Sequence, residues 1–206
     1  MKIAIIGAGN VGGALAKNWK AKGHNVCLGV RNPESSKLKI VLDSFPEMEV
    51  RTIEEAILQS EVIVLATPSK AAKEIAESIK DLVKDKIIID TMNSVGSAPE
   101  GFKNTFELIH SITKSNSIVK CFNSTGAENM GNPKYPDSSI DMFMAGSNES
   151  AKAIVRTLAL DAGFAECYDF GGNEQVQILE NFALVWINLA MKQGMGRNFG
   201  FKILKR

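Results

Sequence analysis

The chain has 206 residues, enough for one sizeable domain or for one domain with a small appendage. Hydrophobic residues make up 45% of it and charged residues 23%, the balance of an ordinary globular protein. Its 24 basic and 23 acidic side chains leave a net charge of +1, which gives no bulk attraction to nucleic acid or to an anionic membrane. We therefore expect neither of these as a partner.

The cysteines and the apolar runs predict a cytoplasmic protein. Cys27, Cys121 and Cys167 are far apart, odd in number and without CxxC spacing, which argues against a disulfide framework or a zinc site. The start of the chain does not resemble a secretion signal, and the longest apolar run, residues 182–191, is too short to span a membrane. We expect no metal site.

Strand and helix patterns alternate along most of the chain. Apolar runs predict strands at residues 2–6, 25–30, 48–51, 61–66, 86–92, 117–123, 141–146 and 165–171. Helices are predicted at residues 11–22, 36–44, 53–59, 69–83, after Gly101, and at 148–163. Thr52 and Glu55 form a capping box for the third of these helices. This alternation predicts an α/β fold with a doubly wound, mostly parallel sheet over residues 1–172.

Two segments depart from that alternation. Residues 126–139 are rich in Gly, Pro, Asn and Ser, and are predicted to form a long functional or mobile loop. Residues 173–206 are predicted to form a small helical extension, with one long helix at 174–193. That helix is apolar on several faces, and packing on the sheet covers only one of them. A second copy of the chain would cover another face, so we expect a homodimer through residues 173–193.

A glycine-rich turn follows the first predicted strand. Residues Gly7, Gly9 and Gly12 match the pattern G-x-G-x-x-G, with Asn10 and Val11 between the last two glycines. The pattern alone is weak, but here it joins a buried strand to a helix, as in Rossmann dinucleotide-binding folds. The helix N-terminus would then bind a pyrophosphate through its free N–H groups. The alternative, a turn without a ligand, is less favoured in this context.

The end of the second predicted strand indicates which nicotinamide cofactor would bind. An NAD-binding protein would place a carboxylate there for the ribose 2′-hydroxyl, whereas this chain has Arg31. A guanidinium can bind a 2′-phosphate through two charge-assisted hydrogen bonds, and Asn32 and Ser35 could add donors. The sequence therefore favours NADP(H), although Arg31 could also be an ordinary surface charge.

Small polar residues follow three other strands and predict a cleft at one sheet edge. Ala66, Thr67, Pro68 and Asn93 are predicted to border the cofactor, and Asn123 lies at the end of the strand at 117–123. Thr67 and Pro68 could instead cap the next helix, and the asparagines could be turn residues only. No acid or base side chain is recognisable at these positions. Hydride transfer between two cofactor rings needs none, so we expect no catalytic side chain and only alignment of the rings.

The residues also resemble a known family. The stretches "KIAIIGAGNVGGALAKNWKAKGHNVCLGVRNPES", "VIVLATP" and "FGFKILKR" resemble the NADP oxidoreductase, coenzyme F420-dependent family. The resemblance implies a Rossmann domain with a small helical C-terminal part, a dimer, and a flavin-like or deazaflavin (F420) ring lying over the nicotinamide. It also implies an acceptor pocket, formed by Asn123, Ser124, Thr125, Gly126, Gly194 and Met195.

The leading hypothesis is therefore an NADPH-dependent oxidoreductase with a flat ring as hydride acceptor. A protein that binds NADP(H) without turnover, as a sensor or partner subunit, is the second hypothesis, because no acid or base residue stands out. A reductase of small imines or ketones is the third. Such reductases commonly have a larger helical second domain than residues 173–206 could supply.

Overall fold

The computed structural model of the chain describes residues 1–32, 38, 42, 46–96 and 98–206. The predicted helix at residues 36–44 and the predicted site residue Ser35 fall outside these ranges, except for isolated positions. The strands within the described ranges are β1 Lys2–Ile6, β2 Asn25–Val30, β3 Glu49–Thr52, β4 Val62–Leu65, β5 Ile87–Asp90, β6 Ile118–Cys121, β7 Met142–Ala145 and β8 Cys167–Asp169. The helices are α1 Asn10–Ala21, α2 Ile53–Leu58, α3 Ala72–Ile79, α4 Thr105–Thr113, α5 Ala127–Gly131, α6 Glu149–Asp161 and α7 Val176–Ile187.

The described strands form a single sheet in the order β3-β2-β1-β4-β5-β6-β7-β8. All neighbouring strands are parallel except β6 and β7, which are antiparallel. The chain leaves β1 to one side and later returns to its other side at β4, which makes this pair the topological switch point. The predicted doubly wound, mostly parallel sheet is thus confirmed. The carboxyl ends of β1, β2, β4, β5 and β6 lie at the same edge.

The sheet is buried on both faces, which explains the unbroken apolar runs of its strands. Ile3 and Ile5 of β1 belong to one core cluster, with Trp19 of α1, whereas Ala4 and Ile6 belong to the cluster on the opposite face. A strand buried on one face only would alternate apolar and polar residues instead. The starts of three helices are also encoded locally in the sequence, by N-cap residues. Asn104 caps α4 and Asn148 caps α6, while the predicted capping box of Thr52 is present at α2.

The predicted loop at 126–139 is partly wrong, because its first residues form the helix α5. Met130 of α5 is fully buried. The side chain of Asn18 on α1 donates hydrogen bonds to the carbonyls of Met130 and Gly131, at 2.9 and 3.2 Å. The glycine and asparagine content of the segment misled the prediction, since the buried contacts with α1 come from a distant part of the chain. No single long open loop is left at this position.

The predicted helix at 174–193 consists of three pieces rather than one. A turn of 3₁₀ helix at Asn173–Gln175 leads into α7, which is followed by a π-helical turn at Asn188–Lys192. Beyond it the chain returns to the sheet, where the N–H of Asp141 donates to the carbonyl of Phe201 at 2.9 Å. Several large apolar side chains of this region are exposed: Ile178, Leu184, Val185, Met191 and Met195. The division at residue 172 and the homodimer stay predictions.

No helix among the described residues combines the length and the apolar character needed to cross a lipid bilayer.

Candidate functional site

The glycine turn after β1 is shaped by backbone contacts that exclude side chains. A Cβ atom on Gly7, whose φ is +109°, would lie 2.6 Å from the carbonyl oxygen of Ala66. On Gly12 it would lie 2.3 Å from the carbonyl oxygen of Gly7. Neither position can hold a Cβ without displacing backbone, so α1 and β4 can approach β1 only because these residues are glycines. Ala66 thus forms part of the wall of the turn.

Gly9 differs from the other two glycines, because a Cβ on it would meet no atom of the described part of the chain within 4 Å. This residue is the N-cap of α1, and no side chain makes a capping hydrogen bond there. The first turn of α1, which begins with Asn10 and Val11, carries no acidic side chain. Open space above Gly9, free N–H groups and the positive end of the helix dipole together make a site for a phosphate group.

A cavity of about 170 Å³ opens beside this turn. It is lined by residues from the ends of three strands and from α3: Gly7, Gly29, Val30, Arg31, Thr67, Pro68, Ala71, Glu74 and Ile75. The predicted cofactor residues Gly7, Arg31, Thr67 and Pro68 are therefore brought together. The Arg31 side chain is 77% exposed, and its Nη1 lies 3.4 Å from a carboxylate oxygen of Glu74. An exposed ion pair of this kind is weak, so the guanidinium can exchange it for a phosphate.

Thr67 and Pro68 do not cap a helix in the way that the alternative interpretation requires. Pro68 is itself the N-cap of the 3₁₀ turn Ser69–Ala71, and no side chain makes a capping hydrogen bond there. The hydroxyl of Thr67 instead contacts the Sδ atom of Met92, at 3.5 Å. This contact connects the cavity to the segment that follows β5.

Asn93 and Asn123 form a reciprocal pair between the ends of β5 and β6. The Nδ2 of Asn93 donates to the carbonyl of Asn123 at 2.8 Å, and the Nδ2 of Asn123 donates to the Oδ1 of Asn93 at 2.9 Å. The Oδ1 of Asn123 is buried and has no hydrogen-bond partner among the residues that the structure describes. An unsatisfied buried acceptor is unusual, and it would be satisfied by a ligand or a water that donates a proton.

Phe122 turns the chain sharply just before Asn123. Its φ of +58° lies in the left-handed region, which is uncommon for a bulky residue. The ring is held by Trp19 of α1 in an edge-to-face contact at 5.5 Å and by Phe164 at 6.2 Å. This packing fixes a strained backbone at the end of a strand, a pattern that is concentrated at functional sites.

The remaining predicted acceptor residues divide into buried and exposed ones. Ser124 is buried, with its hydroxyl 3.5 Å from the Sδ of Met142, and the hydroxyl of Thr125 accepts a hydrogen bond from Asn129. Gly194 and Met195 lie on an exposed turn after the π-helical segment. Their role in an acceptor pocket stays a prediction.

Gly126 connects this region to the C-terminal segment. A Cβ on it would approach Trp186 at 2.8 Å and Arg197 at 3.1 Å. Arg197 forms an ion pair of 2.7 Å with Glu128 and lies over the ring of Trp186. Its guanidinium lowers the pKa of the Glu128 carboxyl through this hydrogen bond. The chain after α7 thus packs directly against the segment that follows β6.

A buried cluster of charges under the site was missed by the sequence reasoning. Lys120 of β6 is fully buried, and its Nζ lies 3.0 Å from Asp90 Oδ2 and 2.5 Å from Glu180 Oε1. From the sequence alone, no acid or base side chain is recognisable near the strand ends, and this lysine is not singled out. The available signal was a lysine in the middle of the apolar run "SIVKCF" and an aspartate ending "IIID". Buried charges of this kind are rare without partners.

Two of the three cysteine thiols have raised pKa values. Burial raises the pKa of the Cys27 thiol to about 11 and also raises the pKa of Cys121, so both are protonated at neutral pH. In the part of the chain that the structure describes, no three His, Cys, Asp or Glu side chains are grouped so that they could hold a metal ion.

Comparison with known proteins agrees with this geometry. Over its whole length the chain superposes on a crystal structure from Arthrobacter sp. FB24, described as a candidate F420-dependent NADP-reductase, with a TM-score of 0.87 and 25% identity across 100% of both chains. It is 27% identical over 221 residues to the F420-dependent NADP reductase of Methanothermobacter thermautotrophicus, covering 98% of this chain and 94% of that protein. The strand order and this superposition show a Rossmann-type α/β fold.

A family match covers the first part of the chain. Residues 2–94 match the family described as NADP oxidoreductase coenzyme F420-dependent. The resemblance seen in the sequence is thus confirmed. The chain is also 27% identical over 218 residues to the glycerol-3-phosphate dehydrogenase [NAD(P)+] of Thermoanaerobacter sp. X514. It spans only 64% of that protein's length, although the match covers 100% of this chain.

Proposed function

We propose that the protein transfers a hydride between NADP(H) and a flat flavin-like or F420 ring. The observation that carries the NADP(H) part is the cavity beside the glycine turn, which is lined by both Gly7 and Arg31. The pyrophosphate would lie on Gly9 and the N-terminus of α1, and the 2′-phosphate on Arg31, with Asn32 beside it. The nicotinamide end would pass Thr67 and Pro68 toward Asn93.

The acceptor part of the proposal is supported by the relatives and by the strand ends. This chain spans 94% and 98% of the length of two relatives named as F420-dependent NADP reductases, but only 64% of the glycerol-3-phosphate dehydrogenase. The asparagine pair and the two residues that follow Asn123, Ser124 and Thr125, have amide and hydroxyl side chains. Such groups can orient two rings and exclude water, which is what direct hydride transfer requires of the protein.

The test of this proposal mixes the purified protein with NADPH and, in separate reactions, with F420, FMN, FAD and riboflavin. Loss of NADPH absorbance with one ring compound is the expected result. Saturable NADPH binding without oxidation by any of them would contradict hydride transfer to such a ring and favour the sensor hypothesis. Oxidation only by a small imine or ketone would favour the third hypothesis instead.

The variant Arg31→Ala tests the cofactor assignment. It should weaken NADPH binding by about 1.5–3 kcal/mol, as expected for the loss of a charged hydrogen-bonding partner, and leave NADH binding nearly unchanged. Isothermal titration with both cofactors measures this difference. Arg156→Ala is the matched control, because Arg156 is a partly exposed arginine on α6 whose ion pair is with Glu166. Equal losses for NADPH and NADH would contradict the role of Arg31.

We also propose that the protein is a cytoplasmic homodimer. The exposed apolar side chains of α7 and the turn after it support the dimer, because a second copy would bury them. The three free cysteines support a reducing compartment. Sedimentation velocity measures the oligomeric state, and a monomer at all concentrations would contradict this part of the proposal.

A further inference from the structure

The buried charge cluster lies directly beneath the segment that carries Asn93. Lys120, Asp90 and Glu180 are 0%, 0% and 5% exposed, and they come from β6, β5 and α7. Two carboxylates and one ammonium group in the interior carry a large desolvation penalty unless hydrogen bonds compensate it. The contacts of the cluster show where that compensation comes from.

The ammonium group of Lys120 uses all three of its protons. It donates to Asp90 Oδ2, to Glu180 Oε1 and to the backbone carbonyl of Met92. The hydroxyl of Thr105 adds a further hydrogen bond to Asp90 Oδ2, at 2.8 Å. Because its ammonium group makes three hydrogen bonds and has no contact with solvent, the Lys120 side chain is held in one position.

The other oxygens of the two carboxylates hold backbone on both sides of Asn93. Asp90 Oδ1 accepts from the N–H of Met92 at 2.9 Å, and Glu180 Oε2 accepts from the N–H of Ser94 at 2.9 Å. Together with the carbonyl of Met92, three main-chain groups next to Asn93 are thus bound to the cluster. The cluster therefore determines where the Asn93 side chain points, and through the reciprocal amide pair it also orients Asn123.

Glu180 is the only member of this set that comes from the C-terminal helix α7. Its two oxygens bridge Lys120 and Ser94, so the helix contributes a charged group to the far end of the candidate site as well as apolar cover. An apolar residue at position 180 could pack α7 against the sheet, but it could not accept a hydrogen bond from the N–H of Ser94.

We infer that Glu180, together with Lys120, positions Asn93 for the nicotinamide end of the cofactor and makes that end of the site depend on docking of α7. This inference rests on the proposed binding of NADP(H). According to this inference, the two halves of the cofactor depend on different parts of the protein. The adenine half would be bound by the glycine turn and Arg31, without any contribution from α7, whereas the nicotinamide half would need the charge cluster.

The experiment compares two ligands, NADPH and 2′,5′-ADP, which lacks the nicotinamide half. In Glu180→Gln the remaining Lys120–Asp90 pair is balanced in charge, so the fold should survive. The glutamine places an NH2 group, which is a donor, where one carboxylate oxygen accepts from Lys120 or from the N–H of Ser94, so one of the two hydrogen bonds is lost. The Kd for NADPH should rise about tenfold, as expected for one lost hydrogen bond to a charged group, while the Kd for 2′,5′-ADP stays unchanged. The control Glu174→Gln, at an exposed carboxylate in the 3₁₀ turn before α7, should change neither value.

A double-mutant cycle distinguishes positioning from general loosening of the fold. Asn93→Ala alone should weaken NADPH binding, and adding Glu180→Gln to it should cause little further loss, because Glu180 acts through Asn93. Fully additive losses, or equal weakening of both ligands by Glu180→Gln, would overturn the inference. If Glu180→Gln does not fold, Glu180→Asp keeps the charge, shortens the reach to Ser94 and makes the same comparison. Failure of the unaltered protein to bind NADPH would instead refute the proposed function, and this inference with it.

Discussion

The two ends of the candidate site are built in opposite ways. The phosphate end consists of backbone, with three glycines, a helix N-terminus and an exposed arginine at its rim. The nicotinamide end consists of side chains: the amides of Asn93 and Asn123 are positioned by three buried charged residues, which come from separate elements. The first end depends on the absence of side chains, and the second depends on their mutual hydrogen bonds. Mutations should therefore act on them through different physical mechanisms.

The largest effect is expected at the charged end. Lys120→Met leaves two carboxylates buried without a cation, and breaking a buried ion pair in this way costs about 3–5 kcal/mol of unfolding free energy. Urea unfolding followed by circular dichroism measures it. The matched control is Lys73→Met, at an exposed lysine of α3, which should stay within about 0.5 kcal/mol of the unaltered protein. Equal stability of the two variants would show that the cluster does not hold the far end together.

A smaller loss is expected at the phosphate end, and it should come from steric overlap. Gly12→Ala introduces a Cβ that would lie 2.3 Å from the carbonyl oxygen of Gly7, so it should destabilise the fold by about 1–3 kcal/mol. Gly13→Ala is the matched control one residue later. A Cβ there meets nothing within 4 Å, and alanine is the better helix former, so stability should rise by about 0.5–1 kcal/mol. The same unfolding experiment reports both, and a loss in Gly13→Ala would contradict this description of the turn.

The smallest effect is expected at the rim of the cavity. Glu74→Gln removes the carboxylate that lies 3.4 Å from Arg31 and would repel a 2′-phosphate. NADPH should then bind more tightly by at most about 1 kcal/mol, the range of exposed ion pairs, while NADH binding stays the same. Titration at low and high salt sharpens the test, because screening should reduce the gain. Tighter binding of NADH by the same amount would show that Glu74 acts through the cavity shape instead.

The same contrast explains how far the sequence predicts the structure. The glycine turn and the strands of the sheet are encoded in neighbouring residues, so the fold class and the phosphate end could be predicted from local patterns. The charge cluster could not, since Asp90 and Lys120 lie 30 positions apart and Lys120 and Glu180 lie 60 apart. A buried lysine in a strand is a signal that something must neutralise it, but only the packed structure identifies the partners.

Errors in the prediction have a similar cause. Glycine and asparagine in residues 126–139 are typical of loops, yet Met130 is buried against the elements around α1 and a short helix forms. Likewise the apolar pattern of the C-terminal segment predicted one helix, and it could not reveal the 3₁₀ and π-helical turns at its two ends. In both cases tertiary contacts outweigh local propensity.

The packing of Phe122 against Trp19 and Phe164 connects the two ends of the site, so both ends should loosen over the same temperature range on heating. Trp19 lies on α1, whose first turn forms the candidate phosphate site. Its ring contacts Phe122, the residue with positive φ that directly precedes Asn123. A strained backbone relaxes once the packing that confines it loosens. Partial opening of α1 on warming would thus release the turn at Phe122 as well, and amide hydrogen exchange in α1 and at residues 122–124 should quicken over the same temperature interval.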